Sequence, residues 1–73
     1  MHDISTFINE HKNLCKQILS ITKLEECTLS REQLSRIHFE LYGVPPKDTY
    51  TRKIICENIK TILNKYIKDN GGL

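Results

Sequence analysis

The sequence predicts an all-α fold, a small bundle of three or four helices. Apolar residues recur at spacings of three and four along most of the chain, which is the period of an amphipathic helix. No alternating run of apolar and polar residues is long enough to require a β-strand. Residues that cap helices, and glycines that end them, stand between the periodic segments. With 73 residues the chain has room for one domain, spanning 1–73.

The first periodic segment predicts an amphipathic helix over residues 4–21. Either Asp3 or Ser5 can cap its start, and His11 lies on the same stripe as the apolar side chains. Charged pairs add little along this segment, so burial of the stripe must hold the helix. The stripe contains Ile4, Phe7, Ile8, Leu14, Cys15, Ile18 and Ile21.

The second helix, over residues 31–42, has the clearest local signals in the chain. Ser30 can cap its first turn, and Gln33 can return a hydrogen bond to the cap. Leu29 and Leu34 are spaced to pack against each other across that turn. Gly43 can take the left-handed conformation that ends a helix.

A stiff connector then leads to a third helix, predicted over residues 50–68. Pro45 and Pro46 cannot continue the second helix because neither has an amide hydrogen. Asp48, Thr49 or Thr51 can cap the third helix, and residues 69–72 end it. One face of this helix is apolar and predicted to be core. The opposite face carries Lys53, Glu57, Lys60, Lys65 and Lys68.

Composition excludes several classes of function. Three irregularly spaced cysteines are a poor basis for a disulfide framework, so we expect a reducing, intracellular compartment. The chain has no apolar run long enough to cross a membrane and no signal-peptide pattern, which predicts no membrane partner.

Metal binding and catalysis are also not expected. The candidate ligands and nucleophiles are spread over three segments with no local motif, and a core this small can hardly supply a substrate cleft. The prediction is a protein that is not an enzyme and has no metal, cofactor or small-molecule substrate. The side chains considered are His11, Cys15, Cys27, His38 and Cys56.

Charge is distributed unevenly and favours binding to nucleic acid. Residues 1–30 carry a net charge of −1, and residues 47–68 carry +4. Arg52, Lys53 and the Thr49 and Thr51 hydroxyls surround the start of the third helix, where unpaired backbone amides attract phosphate. The same lysines would also be explained by solubility alone, and Glu57 among them supports that interpretation.

Much of the chain resembles the carboxy-terminal domain of the DEK chromatin protein family. The resemblance covers about residues 14–66. The chain departs from the family pattern after Val44, where the link 45–51 is longer than usual. It also departs at Arg36, which stands one position later than the basic residue that commonly follows Gln-Leu. A second resemblance, to LEM and SAP modules, involves Gly43-Val44 followed by Thr51-Arg52-Lys53. The residues that carry the DEK resemblance are Leu14, Ile18, Leu19, Glu25, Glu26, Thr28-Leu29-Ser30, Gln33-Leu34, Leu41-Tyr42-Gly43-Val44, Arg52-Lys53-Ile54-Ile55 and Ile59.

The DEK resemblance implies a winged-helix-like topology without a developed wing. It also implies a nuclear protein that contacts DNA or a nucleoprotein complex, mainly through phosphate. Carried over by position, the contact residues are Arg52, Lys53, Lys60, Lys47 and Arg31.

The alternative interpretation is a protein-interaction adaptor or a homodimer. So small a core would leave part of the first helix uncovered, and this stripe would then dock against a protein partner or a second copy. Phe7, Ile8 and Leu14 are the residues expected to make that contact.

Overall fold

Four α-helices form the described part of the chain, which confirms the predicted all-α class. The computed structural model describes residues 4–72, without the side chain of Leu24. Helix α1 spans Ile4–Glu10, α2 spans Lys12–Ser20, α3 spans Arg31–Tyr42 and α4 spans Arg52–Asn70. A single 3-10 turn, Leu24–Glu26, lies in the connector between α2 and α3. No strand occurs within residues 4–72.

The prediction of one continuous helix over residues 4–21 was wrong, because the chain bends at His11 and forms two helices. The backbone of His11 leaves the helical region (φ −130°, ψ 42°), and its ring lies against that of Phe7 at 4.6 Å between centroids. The bend lets the two halves pack on different partners: α1 contacts α3, and α2 contacts α4. Of the two candidate caps, Ser5 lies inside α1, and Asp3 lies outside the described residues.

Helix α3 begins and ends where its local signals predict. The Ser30 hydroxyl accepts from the amide of Gln33, and the Gln33 side chain accepts from the amide of Ser30, which completes the capping box. Gly43 takes the left-handed conformation (φ 78°) and its amide donates to the Phe39 carbonyl at 2.8 Å.

Helix α4 begins two residues later than predicted and ends two residues later. Thr51 is its cap, since the threonine hydroxyl accepts from the amide of Ile54. Gly71, in the left-handed conformation, ends the helix after Asn70. The apolar face of α4 packs against α2 and α3 and provides the centre of the core. The fully buried side chains are Ile8, Cys15, Ile18, Leu34, Leu41, Ile55, Ile59 and Leu63.

Candidate nucleic-acid interface

Arg52, the first residue of α4, directs its guanidinium into the molecule. Its Nε and Nη2 donate to the carbonyl of Leu29 at 3.2 and 2.8 Å, and Nη2 also donates to the carbonyl of Cys27 at 2.9 Å. The side chain is half-buried. A charged donor that satisfies carbonyls in this way ties the connector before α3 to the start of α4. Arg52 therefore has a structural role whatever else it contacts.

Arg31, at the start of α3, has an equivalent role toward the connector before α4. Its Nη1 donates to the carbonyl of Tyr50. Its Nη2 makes longer contacts, both 3.4 Å, with the carbonyls of Lys47 and Asp48. Two of the five predicted phosphate contacts are thus arginines that hold the connectors before α3 and before α4.

Lys60 has both structural and surface character. Its Nζ donates to the carbonyl of Ile21, the residue at which α2 ends. The side chain is half-buried. An ammonium has three donors, so this bond fixes the position of the charge and leaves two donors for another acceptor.

The fold brings three lysines together around one small hollow, which we call the lysine hollow. Lys53 and Lys60 come from α4, and Lys23 comes from the connector after α2. Lys23 and Lys53 are exposed. The hollow has a volume of about 90 Å³, and its remaining lining residues are Ile21, Thr22, Cys56 and Glu57.

Sequence reasoning missed Lys23 because nothing local marks it. It stands in a short segment without apolar periodicity, far from α4 along the chain. Only the packing of α2 against α4 brings the connector to the basic face of the last helix. The predicted pair Lys53 and Lys60 thus gains a third member that no sequence pattern indicates.

Glu26 holds the connector that carries Lys23. Its carboxylate accepts from the Thr22 hydroxyl at 2.7 Å, from the Lys23 amide at 3.0 Å and from the Thr22 amide at 3.3 Å. The Thr22 hydroxyl bond is the main cause of the lowered pKa of Glu26, with the two amides contributing further and the nearby Lys60 ammonium adding a smaller effect. The connector is therefore a closed turn, and the backbone of Lys23 has a fixed position.

The chemistry of the lysine hollow suits an anion better than a reaction. Three lysines and one acidic residue, Glu57, line the hollow. Burial is the main cause of the raised pKa of the Cys56 thiol, and the adjacent Cys27 raises it further. The thiol therefore stays neutral at physiological pH and is not an activated nucleophile. Lysine side chains donate to phosphate oxygens in protein–DNA interfaces, so phosphate is a suitable anion for this cluster.

Lys47, the fifth predicted contact, lies apart from the lysine hollow. It is exposed and lines a second hollow of about 330 Å³, beside the carboxyl end of α3. We call this the aromatic hollow, since His38, Tyr42 and Tyr50 contribute rings to it. Its other lining residues are Val44, Pro45 and Asn58.

The residues of the alternative interpretation are only partly accessible. Ile8 is 0% exposed and belongs to the core, so its predicted contact with a partner was wrong. Phe7 and Leu14 are half-buried and line a groove of about 460 Å³ beside α3. The rest of that groove is formed by Thr6, Glu10, His11, Arg36, Ile37 and Glu40.

The cysteines and histidines considered as ligands lie in packed positions or on separate surfaces. The thiols of Cys15, Cys27 and Cys56 are buried and free. His38 is buried, and its Nδ1–H donates to the Val44 carbonyl at 2.8 Å, since a carbonyl can only accept. Among residues 4–72, no group of three histidine, cysteine or acidic side chains is placed to hold a metal ion.

Comparisons with protein-family models, curated proteins and solved structures each give no match for this chain. The resemblance to the DEK family therefore stays a prediction from the sequence. Within the described residues, no helix has the length and apolar character needed to span a bilayer.

Proposed function

We propose that this chain is a non-enzymatic helical module that binds nucleic acid through phosphate contacts at the lysine hollow. The observation that carries the proposal is the convergence of Lys23, Lys53 and Lys60, from two separate segments, on one small concave surface. Like charges held close together repel, so an anion bound among these three lysines lowers their mutual repulsion. DNA and RNA offer such anions at regular spacing.

The fixed position of Lys60 supports a binding role. A free lysine side chain loses rotamer freedom when it binds, and this loss weakens the contact. Because the Ile21 carbonyl already holds the Lys60 ammonium, part of that entropy is lost on folding rather than on binding. Lys23 and Lys53 remain exposed and can adjust to the phosphate.

The proposal also redistributes the roles of the predicted residues. Lys53 and Lys60, with Lys23, make the direct contacts, and Lys47 adds a contact on the other flank of α4. Arg52 and Arg31 are positioning residues, since their guanidinium groups donate to carbonyls of the connectors. Thr51 is also a positioning residue, because its hydroxyl caps α4.

The DEK resemblance extends this proposal to a cellular setting. It supports a nuclear module on chromatin, with a winged-helix-like arrangement of its helices and no developed wing. Contacts limited to phosphate would give broad binding without strong sequence preference, because base edges carry the sequence information.

The test is a fluorescence titration of a labelled short DNA duplex at about 50 and 200 mM salt. The variant K23Q/K53Q should bind at least about tenfold more weakly than wild type. The slope of the logarithm of its binding constant against the logarithm of the salt concentration should be shallower by about one for each lysine removed.

The matched control is K65Q/K68Q, which removes the same charge from exposed positions further along α4. We expect a clearly smaller effect from this variant. Equal losses in the two variants would show a diffuse charge effect and contradict a site at the lysine hollow. Absence of binding by wild type at low salt would contradict the whole proposal.

A second candidate function is docking of a protein partner in the groove beside α1. The observation that favours it is the groove itself, with Phe7 and Leu14 half-buried along its wall. Partly covered apolar side chains in a concave surface are typical of sites that accept a partner helix or peptide. This function would become the leading one if wild type failed to bind nucleic acid.

A further inference from the structure

The aromatic hollow contains a tyrosine ring that is exposed and yet rigidly held. Tyr42 keeps 39% of its surface exposed. Its hydroxyl donates to the carbonyl of Asn58 in α4 at 2.7 Å, and its ring stacks on His38 with centroids 4.5 Å apart and an interplanar angle of 26°. Both ends of the side chain are thus fixed.

The ring beneath Tyr42 is itself anchored. His38 is 5% exposed, and its Nδ1–H bond to the Val44 carbonyl at 2.8 Å fixes the plane of the imidazole. His38 stacks on one face of the tyrosine ring, so a ligand that stacks on Tyr42 would use the opposite face. Burial raises the pKa of the phenol further above physiological pH, so the hydroxyl is protonated and can donate to Asn58.

The aromatic hollow combines an exposed ring with a positive charge, and the two together favour a ligand that is both planar and anionic. Lys47 lines the hollow, and none of its lining residues is acidic. Val44, 57% exposed, adds an apolar wall beside the ring. An aromatic face next to a lysine is the combination with which proteins bind unpaired bases, the base stacking on the ring and the phosphate meeting the cation.

The aromatic hollow lies within reach of the lysine hollow. Lys53 and Ile54 are neighbours in the first turn of α4, and Asn58, which holds Tyr42, is one turn further on. The two hollows therefore flank the amino-terminal half of one helix, which is about 10 Å across. Ile54, 38% exposed, falls between Lys53 and Asn58 around the helix axis.

We propose that Tyr42 is a stacking platform for an unpaired nucleobase, so that the chain prefers single-stranded nucleic acid to duplex. This inference deepens the proposed function and rests on it: the strand crosses α4 with phosphates at the lysine hollow and one base on Tyr42. In a duplex the bases are stacked on one another, and Tyr42 has no free base face to meet.

The test compares a labelled single-stranded oligonucleotide with the same sequence as a duplex, at one salt concentration. Wild type should bind the single strand more tightly. Tyr42→Leu should weaken single-strand binding about tenfold, because one base–aromatic stack is lost, and should leave duplex binding unchanged. Tyr42→Phe keeps the ring and should retain most of the preference.

Phe39→Leu is the matched control. Phe39 lies on the same helix, is 50% exposed and does not line the aromatic hollow, so its loss should change neither affinity. Helical circular dichroism checks that each variant folds. The NMR signal of the Tyr42 ring protons gives an independent readout of stacking, since a stacked base should shift this signal upfield.

The outcomes separate this inference from the proposed function. Equal affinity for single strand and duplex in wild type, or an equal loss from Tyr42→Leu in both, would overturn the stacking platform and leave phosphate binding at the lysine hollow intact. Failure of wild type to bind either form would overturn both. A preference for single strand that Phe39→Leu abolishes as fully as Tyr42→Leu would also overturn the assignment to Tyr42.

Discussion

Arg52 and Lys53 are neighbours in the first turn of α4 and carry the same charge, yet the fold gives them opposite roles. The Arg52 guanidinium points inward and satisfies carbonyls of Cys27 and Leu29. The Lys53 side chain is exposed at the lysine hollow. Successive helix residues differ by about 100° around the axis, so one faces a connector and the other faces solvent. Counting charge along a sequence therefore overstates the binding surface.

Arginine suits the inward role for a physical reason. Its planar group offers donors in a fixed fork, which can meet several carbonyls at once, whereas the lysine ammonium is a strongly hydrated point charge. The same difference separates Arg31 from Lys47 at the other connector. Around the start of α4, Arg31 and Arg52 hold the connectors, and Lys47 and Lys53 are exposed.

The largest expected effect that tests this comparison is on stability. Arg52→Ala leaves the carbonyls of Cys27 and Leu29 without their charged donor, and should lower the free energy of unfolding by about 2 kcal/mol. Arg52→Lys should recover only part of that loss, because a lysine cannot reproduce the fork. Urea unfolding followed by circular dichroism measures both.

Lys53→Ala is the matched control for Arg52→Ala. An exposed substitution of this kind should change the free energy of unfolding by no more than about 0.5 kcal/mol. If Lys53→Ala destabilised the chain as much as Arg52→Ala, the division between holding and binding residues at the start of α4 would be wrong.

A smaller effect concerns the connector that presents Lys23. The pKa of Glu26 is lowered because the folded chain favours its carboxylate, first through the Thr22 hydroxyl. Its contribution to stability is therefore fully present above the ordinary glutamate pKa of about 4.3 and is lost as pH falls through the lower folded value. The amide signals of Thr22 and Lys23 should shift in an NMR titration over that range.

Glu26→Gln should abolish this titration, and Glu25→Gln, one residue earlier, should leave it in place. Glu25 is an exposed neighbour that accepts none of the three bonds made by the Glu26 carboxylate. If the Thr22 and Lys23 amides titrated normally in Glu26→Gln, the connector would be held by something other than this carboxylate.

The parts of the fold that were predictable are those with local causes. Helix α3 follows from Ser30, Gln33 and Gly43, whose hydrogen bonds span only a few residues. The bend at His11 was not predictable, because the apolar stripe keeps its period across it and neither glycine nor proline marks it. The two halves pack against different helices, α1 on α3 and α2 on α4, and long-range packing is not visible in a periodic pattern.

The sequence predicted the positive charge of the candidate site, but not which side chains the fold brings together there. The basic face of the last helix gave Lys53 and Lys60, both of which line the lysine hollow. The inward roles of Arg31 and Arg52 depend on carbonyls in distant connectors, and Lys23 joins the cluster only through packing of α2 on α4. Contacts between residues far apart in sequence leave no trace in composition or spacing.

The most direct test of the division between holding and binding residues is a map of backbone amide shifts as a short single-stranded oligonucleotide is added to the wild-type chain. We predict that the shifted amides cluster at the connector residues 22–23 and along the outer face of α4 from Lys53 to Lys60, with smaller changes around Tyr42. Shifts confined to the groove around Phe7 and Leu14, or to the backbone around Arg52 alone, would contradict the account.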